Sequence, residues 1–299
     1  MLIKQRNRFI ENKWISFHIF IWEEDVYDEL ISDIARSFYD NNINNFFFIR
    51  YWEGGPHLRI RVWGDSEEFE HEVYLFLFNC VSKIIREHPY MGEVKIDKNT
   101  FYEETFTDGI EFKDYDKLPW YSNFSIALIP YIRELERYGG IEYIGYSEQA
   151  FTYSSKLAVN IINQTQNTTS KSLVFYFVVL NLVQFLFRSN DRMLGFCEFS
   201  EKAWMTLIPV NLEFEFQFRK VINGTPFASD SIVAIDGFKD FEYILLGIKN
   251  SLNDENKYVL AMSIIYSQLH MLANRLGVPI VVELTTYGLI KRKINEIIK

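Results

Sequence analysis

Two cysteines, seven prolines and five histidines are spread over 299 residues, and each scarcity closes off a class of protein. Cys80 and Cys197 supply neither a disulfide framework nor a zinc spacing, so a reducing cytoplasm is the expected compartment. The histidines, at 18, 57, 71, 88 and 270, show no metal-ligand spacing. No Gly-x-Gly-x-x-Gly, Walker loop, Gly-x-Ser-x-Gly elbow or His-Glu-x-x-His occurs. Basic charge is in deficit, 31 Lys+Arg against 40 Asp+Glu for a net of −9, which argues against a large nucleic-acid footprint. No apolar run reaches the ~20 residues of a membrane span. The most apolar stretch, Ser172 to Phe187, contains Asn181 and Gln184 and reads as a buried helix. At the N-terminus Glu11, Asn12 and Lys13 interrupt any signal-type apolar segment. Neither metal nor cofactor is expected, and chemistry must run on Arg, His, Tyr and acidic groups. That restricts it to proton transfer, elimination or pericyclic steps.

Aromatics are abundant, 27 Phe and 18 Tyr, as in a packed globular protein. The most informative segment is Phe46 to Val62. Two period-two runs flank Glu53-Gly54-Gly55-Pro56, which reads as a β-hairpin. Folding about that turn pairs Trp52 with His57, Arg50 with Arg59 and Phe48 with Arg61. Those six residues then share one face, while Phe47, Ile49, Tyr51, Leu58, Ile60 and Val62 form a core face. Facing arginines destabilise a sheet, so either an anion or the carboxylates of Glu53, Glu103 or Glu104 must neutralise them. Small anions or an anion-bearing substrate suit the patch better than a polyphosphate.

The expected fold class is α+β, with three stretches at 1–104, 105–130 and 131–299. The first reads β-α-β-β-α-β, a ferredoxin-like sheet unit. It runs as a strand at Trp14–Trp22, a helix at Glu23–Tyr39, the hairpin, a helix capped by Ser66, and an extended Gly92–Glu104. Residues 105–130 read as a linking loop. The third stretch reads as mainly helical, with helices at Tyr146–Gln164 and Lys171–Arg188. Within it, Val210–Val221 alternates Leu212, Phe214, Phe216 and Phe218 with polar residues, as a half-buried strand does. The last strong helix is Asn253–Leu276, with Asp254 as N-cap, Gly277 past its end and Val259 on its apolar side. There Tyr266, His270 and Asn274 form a polar stripe.

Trp14 with its strand, Phe47-Phe-Ile-Arg-Tyr51, Pro56-His-Leu-Arg-Ile-Arg61, Glu134-Leu-Glu-Arg-Tyr-Gly-Gly140 and Leu269-His-Met-x-x-Asn-Arg-Leu276 follow in that order. Together they resemble the C-terminal domain of lantibiotic dehydratases and its free-standing relatives in thiopeptide biosynthesis. The resemblance covers roughly residues 13–298. It implies elimination of glutamate from glutamylated Ser or Thr of a precursor peptide, leaving dehydroalanine or dehydrobutyrine. Carried over position by position, the essential groups are Arg59, Arg61, Arg137 and His270, with Arg133 the less favoured choice beside Arg137. Arg50, His57, Trp52, Tyr266, Asn274 and Arg133 are the candidate substrate contacts. Arg59, Arg61, Arg137 and His270 are expected to line one cleft, with Tyr266 and Asn274 orienting His270. A separate glutamyl-tRNA-dependent subunit is the expected source of the glutamylated peptide, and a homodimer is compatible with the resemblance. A sister branch implies the alternative of a pyridine synthase that joins two dehydroalanines by a formal aza-[4+2] cyclisation and expels the leader peptide. A catalytically silent peptide-binding scaffold is the third reading. Tyr153-Ser154-Ser155 departs from the Asp-Ser more often carried by the lantibiotic enzymes.

Overall fold

The structure, a computed structural model, describes residues 13–104, 117–165, 167–225, 229–252 and 257–298. The chain is α+β and divides into two compact units that meet between Arg133 and Glu134. The sheet unit carries β1 (Trp14–Phe20), α1 (Tyr27–Asp40), β2 (Phe46–Tyr51), β3 (His57–Trp63), α2 (Glu67–Glu87), α3 (Lys98–Glu104) and β4 (Ser125–Leu128). Its four antiparallel strands lie in the order β2-β3-β1-β4. Helix α1 presents Leu30, Ile31, Ile34 and Phe38, all buried, and the Phe38 ring meets Phe46 of β2 edge to face at 5.1 Å. Ser66 caps α2, its side chain accepting from Phe69 N–H at 3.1 Å.

The hairpin forms, but one residue out of the expected register. Tyr51 pairs with His57, Ile49 with Arg59 and Phe47 with Arg61. Trp52 belongs to the turn, where its carbonyl accepts from Gly55 N–H at 3.0 Å. The turn therefore spans five residues, 52–56, instead of four. Gly54 and Gly55 both hold positive φ, +95° and +104°, a conformation open to glycine at little cost. A one-residue slip exchanges the faces of a whole strand, and Arg50 consequently points away from Arg59. It lies on the helix-covered face with Phe48, Leu58 and Ile60, and its Nη2 is 2.5 Å from Asp28 Oδ1 on α1. Ile49, expected in the core, is only half-buried and shares the face of Arg59 and Arg61.

Residues 92–104 form no strand. A 3-10 turn over Pro89–Glu93 leads to α3, started by Asp97 Oδ1, which accepts from Thr100 N–H at 2.9 Å. The fourth strand lies later, at Ser125–Leu128, inside the stretch read as a linking loop.

The second unit is helical. It comprises α4 (Ile144–Gln164), α5 (Thr168–Phe187), α6 (Asn190–Met205), α7 (Leu212–Gly224), α8 (Ser229–Val233), α9 (Phe238–Ser251), α10 (Tyr258–Leu276) and α11 (Ile280–Ile298). Helix α4 packs on α9 and α10, and α11 runs along α6. Helix α5 has 20 residues and is apolar enough to cross a membrane, yet most of it is buried inside the protein, as in a core helix. The expected strand at 210–221 is α7. Asn211 caps it by accepting from Phe214 N–H at 2.9 Å, and Glu215 and Phe218 are buried at helical spacing while Phe216 is exposed. Gly277 ends α10 in the left-handed conformation, φ 65°. Val259 is exposed, not part of the apolar side, and Asp254 lies outside the described residues.

Candidate functional site

Two clusters carry the chemistry-bearing residues, one in each unit. In the sheet unit, the face turned away from α1 and α2 aligns His18 with Arg59 and Ser16 with Arg61 across β1 and β3. His57 is fully buried and His18 nearly so, and their rings stack at 4.9 Å. Burial, with the neighbouring Arg59 and Arg61, pushes His57 down to about 3; burial, His57 and the same arginines push His18 down to about 2. Both imidazoles are neutral at physiological pH. His57 Nδ1–H donates to the Gly55 carbonyl at 2.8 Å, which leaves Nε2 to accept from Arg59 Nε–H at 3.2 Å.

The two guanidiniums are held by aromatic faces as well. Arg59 lies 3.5 Å above the Tyr51 ring and 3.7 Å from Glu53. Arg61, 6% exposed, sits 4.5 Å from the Tyr131 ring and 5.4 Å from Phe47. Cation–π contacts of this kind fix a charge without neutralising it. His57, expected as a substrate contact, is fully buried and accepts from Arg59. Trp52 is half-buried in the turn, stacked with Tyr51. Arg50 lies on the other face, as described above.

In the helical unit the stripe on α10 is real: Tyr266, His270 and Asn274 are half-buried beside a buried core side. His270 Nδ1 is 2.9 Å from Glu283 Oε1 on α11, and Trp204 meets its ring edge to face at 5.0 Å. A carboxylate only accepts, so Nδ1–H is the donor to Glu283, and in the neutral imidazole this geometry leaves the lone pair on Nε2. Glu283 is 1% exposed, and its Oε2 has no hydrogen-bond partner among the described residues. Its Oε1 faces the imidazole. Glu283, outside the Tyr266/Asn274 stripe, is hydrogen-bonded to the ring. Sequence reasoning missed it, although a lone acid in the apolar run Ile280-Val-Val-Glu-Leu284 is a signal of its own.

Arg137 joins this cluster. Its Nε donates to Ser267 Oγ at 3.2 Å, and its Nη1 lies 3.3 Å from Glu134. Ser267 precedes His270 by three residues, one turn along the same side of α10. The Tyr-Gly-Gly sequence permits the approach, since a Cβ on Gly139 (φ +80°) would stand 3.3 Å from Ile264 Cδ1 of α10. Arg133 is half-buried at the end of the sheet unit. Ser155, in the departing Tyr-Ser-Ser segment, is buried and accepts from Arg275 Nε at 2.9 Å. Among the described residues no group of three or more His, Cys, Asp or Glu could hold a metal.

A family model described as the lantibiotic biosynthesis dehydratase C-terminus matches residues 14–294. The chain belongs to that family. A curated relative, epidermin biosynthesis protein EpiB of Staphylococcus epidermidis, is 23% identical over 211 residues, 63% of this chain and 18% of EpiB. Among solved structures, the tRNA-dependent lantibiotic dehydratase MibB from Microbispora sp. 107891 superposes with a TM-score of 0.61 at 16% identity, covering 96% of this chain and 28% of MibB. TbtD, the pyridine synthase from thiomuracin biosynthesis, gives 0.67 at 14% identity, covering 95% and 98% of the two chains. TsrL gives 0.57 at 15%, covering 95% and 94%. The chain thus spans under a third of EpiB and MibB but nearly the whole of TbtD and TsrL. By their names, these similar proteins include a lantibiotic dehydratase and a pyridine synthase.

Proposed function

We propose that this chain eliminates glutamate from glutamylated Ser or Thr residues of a ribosomally made precursor peptide. The observation that carries the reading is the His270–Glu283 pair, with Arg137 anchored one turn away on the same helix. Nε2 of His270 takes the α-proton of the modified residue, and Glu283 stabilises the imidazolium that forms. The electrons of the broken Cα–H bond become the Cα=Cβ double bond, the Cβ–O ester bond breaks, and glutamate departs as a carboxylate. A positioned general base contributes about 10²–10⁴-fold. A preorganised donor at developing negative charge contributes about 10²–10³-fold. Arg137, Arg59 and Arg61 are assigned that second role, at the enolate oxygen and the departing glutamate. Balanced this way, the step consumes no cofactor. On the same reading the protein works in the cytoplasm on a peptide glutamylated by a tRNA-dependent activity, and its sheet is a ferredoxin-like unit with an added helix.

The nearly full-length superposition on TbtD favours a second reading, cyclisation of two dehydroalanines to a pyridine. The deciding experiment is the product mass after incubation with a glutamylated precursor peptide. Loss of one glutamate per site supports elimination. Inertness toward the ester, with conversion of a dehydrated peptide to a macrocycle, supports cyclisation. Tight binding of both peptides without turnover leaves the scaffold.

A further inference from the structure

Along the contact of α6 with α11, three buried oxygens have no hydrogen-bond partner among the described residues: Glu283 Oε2, the Tyr287 hydroxyl and Ser200 Oγ. Tyr287 and Ser200 are fully buried, and Glu283 is nearly so. Burying such groups unpaired is costly. A phenylalanine at 287 would fill the same space between Phe196 and Tyr266 without that cost.

The helices bring the three oxygens to one level. Glu283 and Tyr287 are four residues apart on one side of α11, and a long helical side chain leans back over the preceding turn. Helix α6 meets this side in the opposite sense. Its Phe196 touches the Tyr287 ring edge to face at 6.2 Å, and its Trp204 touches the His270 ring at 5.0 Å. Ser200 is one turn from each of those contacts and so faces the level between Glu283 and Tyr287. Three polar partners are the usual complement of one buried water.

We propose that Tyr287 is a positioning residue for the His270–Glu283 pair, its hydroxyl donating to Glu283 Oε2 directly or across one water that Ser200 also holds. A donor at Oε2 stabilises the pair most while its net charge is negative, before a proton is added. Tyr287 thereby lowers the proton affinity of the pair and favours a bare Nε2 on His270. As a statement about rate this rests on the elimination reading, in which that nitrogen takes the α-proton. The other groups facing the pair keep their charge as pH falls through neutrality. Burial pushes the Cys197 thiol, which acts on Tyr287, up to about 12. Lys291, one turn further along α11, is paired with Glu201. Tyr266 is an uncharged phenol, and Arg137, bonded to Ser267, stays cationic.

The test is an NMR titration of the His270 imidazole in the full chain without substrate, its signal assigned by its loss in His270→Ala. Tyr287→Phe is expected to raise the midpoint by about one pH unit, a tenfold gain in proton affinity. In a Glu283→Gln background the same substitution should change nothing, because the oxygen it serves has lost its charge. An unmoved midpoint in Tyr287→Phe overturns the proposal, as does an equal shift in the Glu283→Gln background. Neither result depends on whether the chain eliminates glutamate. Where elimination is measured, the acid limb of its kcat/KM profile should move with the midpoint. A limb that stays fixed while the midpoint moves counts against His270 as the base and leaves the place of Tyr287 intact. If Tyr287→Phe does not fold, a high-resolution crystal structure of the wild-type chain decides. The hydroxyl should stand about 2.7 Å from Glu283 Oε2 or from a water shared with it, and a hydroxyl bonded elsewhere overturns the proposal.

Discussion

Arg59 donates from Nε to His57 Nε2 at 3.2 Å, while His57 gives its own proton to the Gly55 carbonyl. The acceptor is available only because burial keeps the ring neutral, and the turn carbonyl fixes which nitrogen is bare. Replacing His57 by Phe keeps a ring in the stack with His18 but removes the acceptor. Elimination is expected to slow about tenfold with the weaker turnover of a misaligned guanidinium. His57→Gln, which can still accept, should recover part of the loss. Equal rates in the two variants would show that His57 only fills space.

His57 and His18 also make the sheet unit acid-sensitive. Their folded values, about 3 and about 2, lie below the ordinary 6.5. Between those limits the unfolded chain binds protons that the folded chain refuses, so stability falls as pH falls from 6.5 toward 3. His18→Phe preserves the ring stack and removes one titrating group. Urea unfolding across this window, read in the sheet unit, is expected to lose about one proton's worth of slope. An unchanged slope excludes His18 as a source of the sensitivity.

Arg50 tests the corrected register. Paired with Asp28 on the helix-covered face, it stands apart from Arg59 and Arg61. Arg50→Met is expected to leave elimination within about twofold of wild type. The loss in stability should be about 1 kcal/mol, the scale of a partly exposed ion pair. A hundredfold loss of rate in a folded Arg50→Met would return this residue to the substrate.

The hairpin was legible because Gly54-Gly55 between two alternating runs is strong turn chemistry. Its register was not, because Trp52 looks like a strand residue and only the five-residue turn reveals otherwise; odd and even loops put opposite faces together. Residues 212–218 alternate as strands do, and nothing in that pattern reports the Asn211 cap that starts a helix there. Strand β4, four residues long, is too short to show a period at all. The polar stripe of α10 followed from spacing alone. Glu283 lies on a different helix, and sequence spacing does not pair residues across two helices.

The largest effect is expected where the two clusters do chemistry. With a glutamylated precursor peptide, the wild-type chain should release glutamate and leave dehydro residues. On the proposed mechanism His270→Ala removes the base and Arg59→Ala a cation assigned to the leaving group; each should slow the reaction at least about 10²-fold. Glutamylated peptide should then accumulate, because neither change touches the glutamylating step. Glu283→Gln keeps an oxygen for Nδ1–H but removes the charge that stabilises the imidazolium, so kcat should fall about tenfold or more with KM nearly unchanged. Melting curves must show all three variants folded, since Glu283 is buried and its loss alone could weaken the α10–α11 contact. If folded Glu283→Gln matches wild type while His270→Ala is inactive, the ring is oriented by something other than the carboxylate. If folded His270→Ala retains full activity, proton transfer belongs to another residue and the elimination mechanism fails.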